Sequence, residues 1–273
     1  MTRYIAAYDT ETIDHALEAL PTLVALHRKY EVPATFFVVG RLLEKDGPKY
    51  RELLDDPLFD IQTHTYSHQM LKDSRPHGPA VSLEEMDVEV GRGKALVEDV
   101  FERECIGLRP GCGFEGGFHG VPERLEIIRR HGVQWVSADL RGPLDSIPAS
   151  MKPAYTYEDD GYGDIWEIPG HGWHDNVLKP WTGHITFFPP VYEFAMPARP
   201  PQTVVEIFGQ EGRWLEHAAQ TGLDYVSLVQ HPWSIYRFDN KMSTIELLLV
   251  RTQQLGLTCM TYLDYYRELT QGL

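Results

Sequence analysis

Short apolar runs alternate along the chain with longer segments of helical hydrophobic period. The first run is Tyr4–Ala7, and apolar side chains then recur every three or four positions over residues 13–30, which predicts a helix. The next run, Pro33–Gly40, is β-branched and aromatic without a polar break, as is typical of a buried parallel strand. Ser82 and Glu85 have the form of a capping box and predict the start of a long amphipathic helix.

The same alternation continues to the C-terminus. Further strand-like runs are predicted at 59–65, 106–109, 133–140, 164–169, 225–230 and 258–262. Strands that alternate with helices indicate βα units and a parallel sheet, so the fold class is α/β. Seven or eight such repeats favour closure into a barrel over an open sheet. We expect residues 1–273 to form one barrel domain, with excursions near 141–163 and 176–201.

The composition is that of an ordinary soluble protein, with 42% hydrophobic and 24% charged residues. Its 40 acidic residues against 25 Lys and Arg give a formal net charge of -15, which argues against nucleic acid or an anionic membrane as a partner. Neither a signal peptide nor a membrane-spanning stretch is recognisable, which predicts a cytoplasmic protein. The 3 cysteines lack paired spacing and are expected to be reduced thiols.

Potential metal ligands follow several of the predicted strands. His64 and His68 lie four residues apart after the run at 59–65, so both imidazoles can reach one metal ion. Asp9 and Glu11 follow the first strand, and His231 ends the run at 225–230. In α/β barrels the carboxyl ends of the strands carry the catalytic residues. The pattern therefore predicts a metal-dependent active site.

Each of these residues also has an ordinary interpretation. A pair of histidines four apart is a weak signal alone, because such pairs occur in loops without binding metal. Asp9 is of a type that often caps turns, and His231, which precedes Pro232, can be a hydrogen-bonded strand-end histidine. The order acid, His-His, Arg, His along one chain favours a site over these separate explanations.

Four short motifs resemble those of the polysaccharide deacetylases, the NodB-homology group of metal-dependent N-deacetylases with a distorted (β/α)7-8 barrel. They are Ala7–Thr10, His64–His68, Leu108–Gly111 and Leu228–His231. The order and spacing of the motifs match the family across most of the chain. The resemblance implies the same fold and hydrolysis of a carbon-nitrogen bond other than a peptide bond.

The first motif departs from the common form of the family. Thr10 stands where a second aspartate usually serves as a metal ligand, and Glu11 takes the place of that ligand in an Asp-x-Asp-like arrangement. This arrangement resembles the cytoplasmic allantoinase-like and intracellular peptidoglycan deacetylase subgroup. The fourth motif, an aspartate before a tryptophan, has only Asp139 as a candidate.

The resemblance implies a role for each polar residue. Glu11, His64 and His68 would hold a divalent metal, with Zn²⁺ expected and Co²⁺, Ni²⁺ or Mn²⁺ also compatible with these ligands. Asp9 would be the general base and His231 the general acid. Arg109 would orient Asp9, although a purely structural ion pair is an equal alternative.

Aromatic residues near the predicted site suggest substrate contacts. Trp173, His174 and Phe114 are the candidates, with packing of a loop as the alternative for such aromatic residues. The leading hypothesis is N-deacetylation of an acetylated amino sugar or small oligosaccharide. The alternatives are an allantoinase-like hydrolase of a small ureide or cyclic amide, an esterase on the same frame, and a silent sugar-binding or partner-binding barrel. The oligomeric state stays open.

Overall fold

The computed structural model describes residues 1–12, 15–173, 175, 192–195, 197 and 199–271. Its strands are β1 (Arg3–Tyr4), β2 (Ala6–Thr10), β3 (Ala34–Val38), β4 (Phe59–Thr63), β5 (Gly107–Leu108), β6 (Trp135–Val136), β7 (Tyr155–Tyr157), β8 (Tyr162–Glu167), β9 (Tyr225–Val226), β10 (Val229–Gln230) and β11 (Thr258–Cys259). Its α-helices are α1 (Ala16–Tyr30), α2 (Gly40–Leu54), α3 (Leu83–Phe101), α4 (Pro122–Arg130), α5 (Val204–Thr221), α6 (Pro232–Phe238), α7 (Ser243–Gln254) and α8 (Tyr262–Gln271).

Parallel strands form a distorted barrel. The larger sheet has the order β10-β2-β3-β4-β5-β6-β8-β7, and the smaller sheet has the order β11-β1-β9. Beyond β8, His171 forms a parallel bridge with Leu228, which lies between β9 and β10. This bridge joins the chain after β8 to the end of the sheet that contains β10. The predicted (β/α) barrel of seven to eight repeats is confirmed, and β11 is the short last strand expected from the sequence.

Three neighbouring strands, β2, β3 and β4, make up the most regular part of the barrel, and each is five residues long and buried throughout. Asp9 lies opposite Phe37, which in turn lies opposite Gln62. Side chains alternate between the faces of a strand, so Ala7 and Asp9 share one face while Tyr8 occupies the other. Because all three strands are parallel, the residues that follow them meet at one edge of the barrel.

The start of α3 confirms the predicted capping box. The Ser82 hydroxyl oxygen accepts a hydrogen bond from the Glu85 backbone N–H at 3.2 Å, and the Glu85 carboxylate accepts one from the Ser82 N–H at 3.0 Å. Two donors that the first helical turn would leave unpaired are therefore satisfied. This cap fixes the end of the loop at 69–80, which follows the histidine pair.

The predicted excursion at 141–163 ends in a strand that the sequence pattern did not reveal. β7 pairs antiparallel with β8 and buries Tyr157. The excursion predicted at 176–201 lies largely outside the described residues. The organisation as a single domain stays a prediction. Cys105, Cys112 and Cys259 are all free thiols, as expected.

Among the described helices, none combines the length and the apolar character needed to cross a membrane.

Candidate active site

Three potential metal ligands converge at the carboxyl edge of β2 and β4. Glu11 follows β2, His64 follows β4 directly, and His68 lies one short loop further on. One Glu11 carboxylate oxygen, Oε2, lies 2.7 Å from His68 Nε2 and 3.5 Å from His64 Nε2. One donor atom from each residue falls within 4.8 Å of the other two. The three residues of the predicted ligand triad therefore meet at the carboxyl edge of the sheet, from the two strands that flank β3.

The hydrogen bonds of His64 define which ring nitrogen faces the other two residues. Its Nδ1–H donates to the Arg109 backbone carbonyl at 2.8 Å, and a carbonyl oxygen can only accept. The Nε2 atom is left facing Glu11, where it can offer its lone pair to a metal ion. It is buried and has no hydrogen-bond partner among the described residues, although the Glu11 carboxylate lies nearby. A histidine fixed in this way has the arrangement typical of a metal ligand.

His68 is held in place by its backbone and by a neighbouring glycine. The residue has a φ of 65°, and its N–H donates to the Thr65 hydroxyl oxygen at 3.0 Å. A Cβ atom on Gly111 would lie 2.9 Å from Cε1 of the His68 ring, closer than packing allows. Gly111 of the arginine motif is thus required for the imidazole to occupy its position. This contact places the motif directly beside the ligand triad.

A buried ion pair lies behind the ligands. The Arg109 guanidinium donates to Asp9 Oδ1 at 2.8 Å, and its Nη2 atom contacts the hydroxyl oxygens of Ser137 and Tyr262 at 3.0 Å each. Burial acts to lower the pKa of Arg109, but the charge of Asp9 outweighs it and the net pKa is raised. The other oxygen of Asp9, Oδ2, lies 4.0 Å from His64 Nε2. Arg109 therefore orients Asp9 toward the triad.

His231 approaches from the opposite side, where β10 pairs with β2. Its Nδ1–H donates to the buried Asp175 carboxylate at 2.5 Å. Its Nε2 lies 4.0 Å from Asp9 Oδ2 and 3.7 Å from Glu11 Oε1. Burial acts to lower the pKa of His231, but the charge and hydrogen bond of Asp175, with Glu11 and Asp9 nearby, raise it to about 9. The geometry supplies a charged proton donor facing the other residues.

The same charges act on Glu11 and His68. Burial acts to raise the pKa of Glu11, but the positive charge of His231 and the two ligand histidines hold it well below its ordinary value. Burial acts to lower the pKa of His68, and its bond to Glu11 reverses the direction. Glu11 is therefore an anion in the folded protein, as a metal ligand must be.

The donor set fits a divalent metal of the zinc type. One carboxylate and two imidazoles match three-ligand catalytic zinc sites, which leave a position for water or substrate. His64 supports this fit independently, since its Nε2 is buried with no hydrogen-bond partner in the described part of the chain, while its Nδ1–H donates to a carbonyl. Co²⁺, Ni²⁺ and Mn²⁺ accept similar ligands, and the geometry alone does not select among them.

Asp175 is the functional candidate that sequence reasoning missed. The aspartate expected from the fourth motif was Asp139, whose carboxylate instead accepts two hydrogen bonds from the Lys152 ammonium, each of 2.8 Å. Asp175 follows β8 in the run Gly170–Asp175, and its position after a strand end was the available signal. Asp175, and not Asp139, contacts His231.

The three candidate substrate contacts lie in different settings. Phe114 is buried and packs edge-to-face against Phe118. Trp173 is also buried, and its indole N–H donates to the Ala195 carbonyl. His174 lies outside the described residues. Contact of these residues with substrate stays a prediction.

Comparison with known proteins agrees with this geometry. The family model described as polysaccharide deacetylase matches residues 9–134, which include Asp9, the ligand triad and Arg109. The matched residues make up just under half of the chain and end before Asp175 and His231, which the fold brings to the same site. No curated protein matches the sequence.

Solved structures share the fold of this chain at low sequence identity. One described as a polysaccharide deacetylase from Mycobacterium smegmatis has a TM-score of 0.67 at 15% identity, covering 99% of this chain and 91% of that one. A family 4 carbohydrate esterase from Streptomyces lividans, in complex with acetate, has a TM-score of 0.56 at 12% identity, covering 94% and 91%. A family 4 pseudoenzyme from Bacillus anthracis has a TM-score of 0.54 at 11% identity, covering 97% and 65%.

Because these similarities extend to a pseudoenzyme, the fold alone does not decide whether a chain is active. The residues at the site must carry that conclusion.

Proposed function

We propose that this protein is a metal-dependent deacetylase that hydrolyses the amide of an N-acetylated amino sugar or small oligosaccharide. The observation that carries the proposal is the convergence of three ligand atoms with Asp9 and His231, whose Oδ2 and Nε2 atoms lie 4.0 Å apart. A silent binding barrel has no physical need for a base, an acid and a ligand triad in one place. The family match and the acetate-bound neighbour support the acetyl group as the one removed.

Glu11, His64 and His68 would hold the metal. When bound there, a divalent metal polarises the acetyl carbonyl and lowers the pKa of a water molecule. Asp9, held by Arg109, accepts a proton from the attacking water. His231 donates its Nε2 proton to the departing amine nitrogen, so that a free amine and acetate are formed. Asp175 keeps the His231 ring oriented and charged before the transfer.

The proposal is tested by metal content and acetate release together. Elemental mass spectrometry should find about one equivalent of zinc or a related metal in the purified protein, and N-acetylhexosamine oligomers should release acetate. Glu11→Ala should lose both, while Glu18→Ala, an exposed acid on α1, should keep both. A protein that retains no metal even after zinc is added, and releases no acetate, would contradict the proposal.

The cytoplasmic location and the allantoinase-like subgroup remain predictions, and the oligomeric state stays open. An allantoinase-like activity would appear as hydrolysis of a ureide by a protein that releases no acetate from acetylated sugars. The substrate-contact roles of Trp173, His174 and Phe114 require substitution experiments of the same kind.

A further inference from the structure

A second buried arginine at the same edge of the barrel has no acidic partner among the described residues. Arg141 follows β6 by five residues, and its side chain is only 8% exposed. Among the described residues, no carboxylate oxygen lies within 4.0 Å of its guanidinium. Its Nε donates to the Cys112 carbonyl at 2.8 Å, and its Nη2 lies 3.3 Å from His77 Nε2. Its Nη1 makes no hydrogen bond to a described residue.

Two contacts place Arg141 close to the ligand triad. It is bonded to the carbonyl of Cys112, whose neighbour Gly111 packs against the His68 ring. The strand that leads to Arg141 also supplies Ser137, whose hydroxyl contacts Arg109. The Arg141 guanidinium therefore lies beside the segment that packs against the His68 ring.

The nearest acidic residue does not neutralise Arg141 by direct contact. Asp145 is close enough to favour the charged guanidinium, but its two oxygens accept the backbone N–H groups of Glu115 at 2.7 Å and Arg75 at 3.2 Å. Burial dominates, and the net pKa of Arg141 is lowered from its ordinary value. An arginine remains charged at such values, so the fold retains a buried cation at a cost in desolvation.

We propose that Arg141 binds an acidic group of the substrate, and that the preferred substrates are N-acetylated amino sugars carrying a carboxylate or a phosphate. A guanidinium with a free edge matches both groups through two parallel hydrogen bonds. This inference rests on the deacetylase function proposed above and names the substrate class of that site. The net charge of -15 repels an acidic substrate from the surface as a whole, but the attraction to Arg141 acts over only a few ångströms. That distance is shorter than the roughly 8 Å screening length at physiological salt.

The test compares three sugars that differ only at C6. They are N-acetylglucosamine, its C6 carboxylate and its 6-phosphate, each measured by acetate release and, separately, by calorimetric binding. We expect wild type to bind at least one acidic sugar more tightly than the neutral one. Arg141→Met should weaken that binding and lower kcat/KM by roughly 10- to 100-fold for the acidic sugar alone. The sugar that loses most identifies the acid as carboxylate or phosphate.

Two further variants separate binding from structure. Arg141→Lys keeps the charge but loses the paired hydrogen bonds, so it should give an intermediate affinity. Arg213→Met removes the same charge from an exposed position on α5 and should leave all three affinities unchanged. An equal loss for neutral and acidic sugars in Arg141→Met would show that Arg141 only supports the loop at Cys112, and would overturn the proposal.

Calorimetry makes the outcome independent of the catalytic proposal. If acetate is never released but wild type binds the acidic sugar and Arg141→Met does not, the anion site stands and the deacetylase function fails. If wild type releases acetate without preferring either acidic sugar, the deacetylase function stands and the anion site is refuted.

Discussion

Two imidazoles face the same site with different partners on their second nitrogen. His64 Nδ1–H donates to the Arg109 carbonyl, whereas His231 Nδ1–H donates to the Asp175 carboxylate. A neutral carbonyl fixes the tautomer of a histidine without adding a negative charge. A buried carboxylate also stabilises the imidazolium, which is why the pKa of His231 is raised to about 9.

The group bonded to Nδ1 of a histidine therefore determines whether its Nε2 is suited to bind a metal or to donate a proton. Under the function proposed above, His64 would offer its Nε2 lone pair to the metal, and His231 would offer its Nε2 proton to the leaving amine. The two residue types are identical in the sequence, so this division depends on contacts that only the fold creates. Substitutions of each histidine and of its hydrogen-bond partner test whether the two histidines have these different roles.

The largest effect is expected at His64. In His64→Ala one of three ligand atoms is lost, so metal affinity should fall by far more than the roughly 10- to 100-fold typical of outer partners. Metal content should drop to background and acetate release should fall below detection. His15→Ala, which removes an exposed histidine near the start of α1, should leave both unchanged. Retention of a full equivalent of metal by His64→Ala would refute its ligand role.

At His231 we expect loss of activity with the metal retained. His231→Ala removes the proton donor but none of the three ligands, so kcat should fall by about 10²- to 10⁴-fold. Elemental analysis of the same sample should still find the metal. If the variant lost its metal along with its activity, His231 would be a metal ligand like His64, and the difference in role between them would be refuted.

A third imidazole extends the comparison to stability. His27 donates from Nδ1 to the Val32 carbonyl at 2.7 Å and accepts from the Tyr8 hydroxyl at 2.8 Å. Burial lowers its pKa to about 4, below the 6.5 of an unfolded chain. The unfolded state then binds more protons between these values, so the stabilisation is complete above about pH 6.5 and is lost as the pH falls toward 4.

Chemical denaturation at several pH values measures this effect. Over that range His27 should account for roughly 3 kcal/mol of the fall in the free energy of unfolding. His27→Gln should show a shallower dependence on pH, and His15→Gln should follow wild type. Identical slopes for His27→Gln and wild type would mean that His27 is not held neutral in the folded protein.

The smallest effect is expected when only the partner of His231 changes. Asp175→Asn keeps an acceptor oxygen but removes the charge that holds the imidazolium, so kcat should fall by about 10- to 100-fold. Metal content should not change. Asp139→Asn is the matched control, because the Asp139 carboxylate contacts Lys152 and not His231. A larger loss in Asp139→Asn than in Asp175→Asn would reverse the assignment made from the structure.

The sequence was sufficient for the parts of the site that follow regular strands. Glu11, His64 and His231 directly follow apolar runs, and parallel strands bring such positions to one edge. Asp175 was not foreseen because it lies beyond β8 in an irregular stretch where neither spacing nor period predicts a contact. His174, its neighbour, was considered as a substrate contact, but nothing local showed that the next residue meets a histidine 56 positions away.

The strand β7 escaped prediction for a related reason. Pro143, Pro148 and Pro153 precede it and indicated irregular structure, yet Tyr155–Tyr157 pairs with β8 and places Tyr157 in the core. Arg141, inside the same excursion, carried no motif at all. That no described carboxylate pairs with Arg141 is visible only when the surroundings of the folded chain are known.

The strand pairing of β10 with β2 also sets an order of assembly. Glu11, His64 and His68 lie within the first quarter of the chain, after β2 and β4, so their contacts close shorter loops than the approach of His231 to Asp9 does. His231 joins Asp9 only when a far more distant segment returns, and long-range closure is the slower event in folding. During synthesis the nascent chain would thus become able to bind metal well before it could hydrolyse anything, and its reactivity would begin only with the completed barrel.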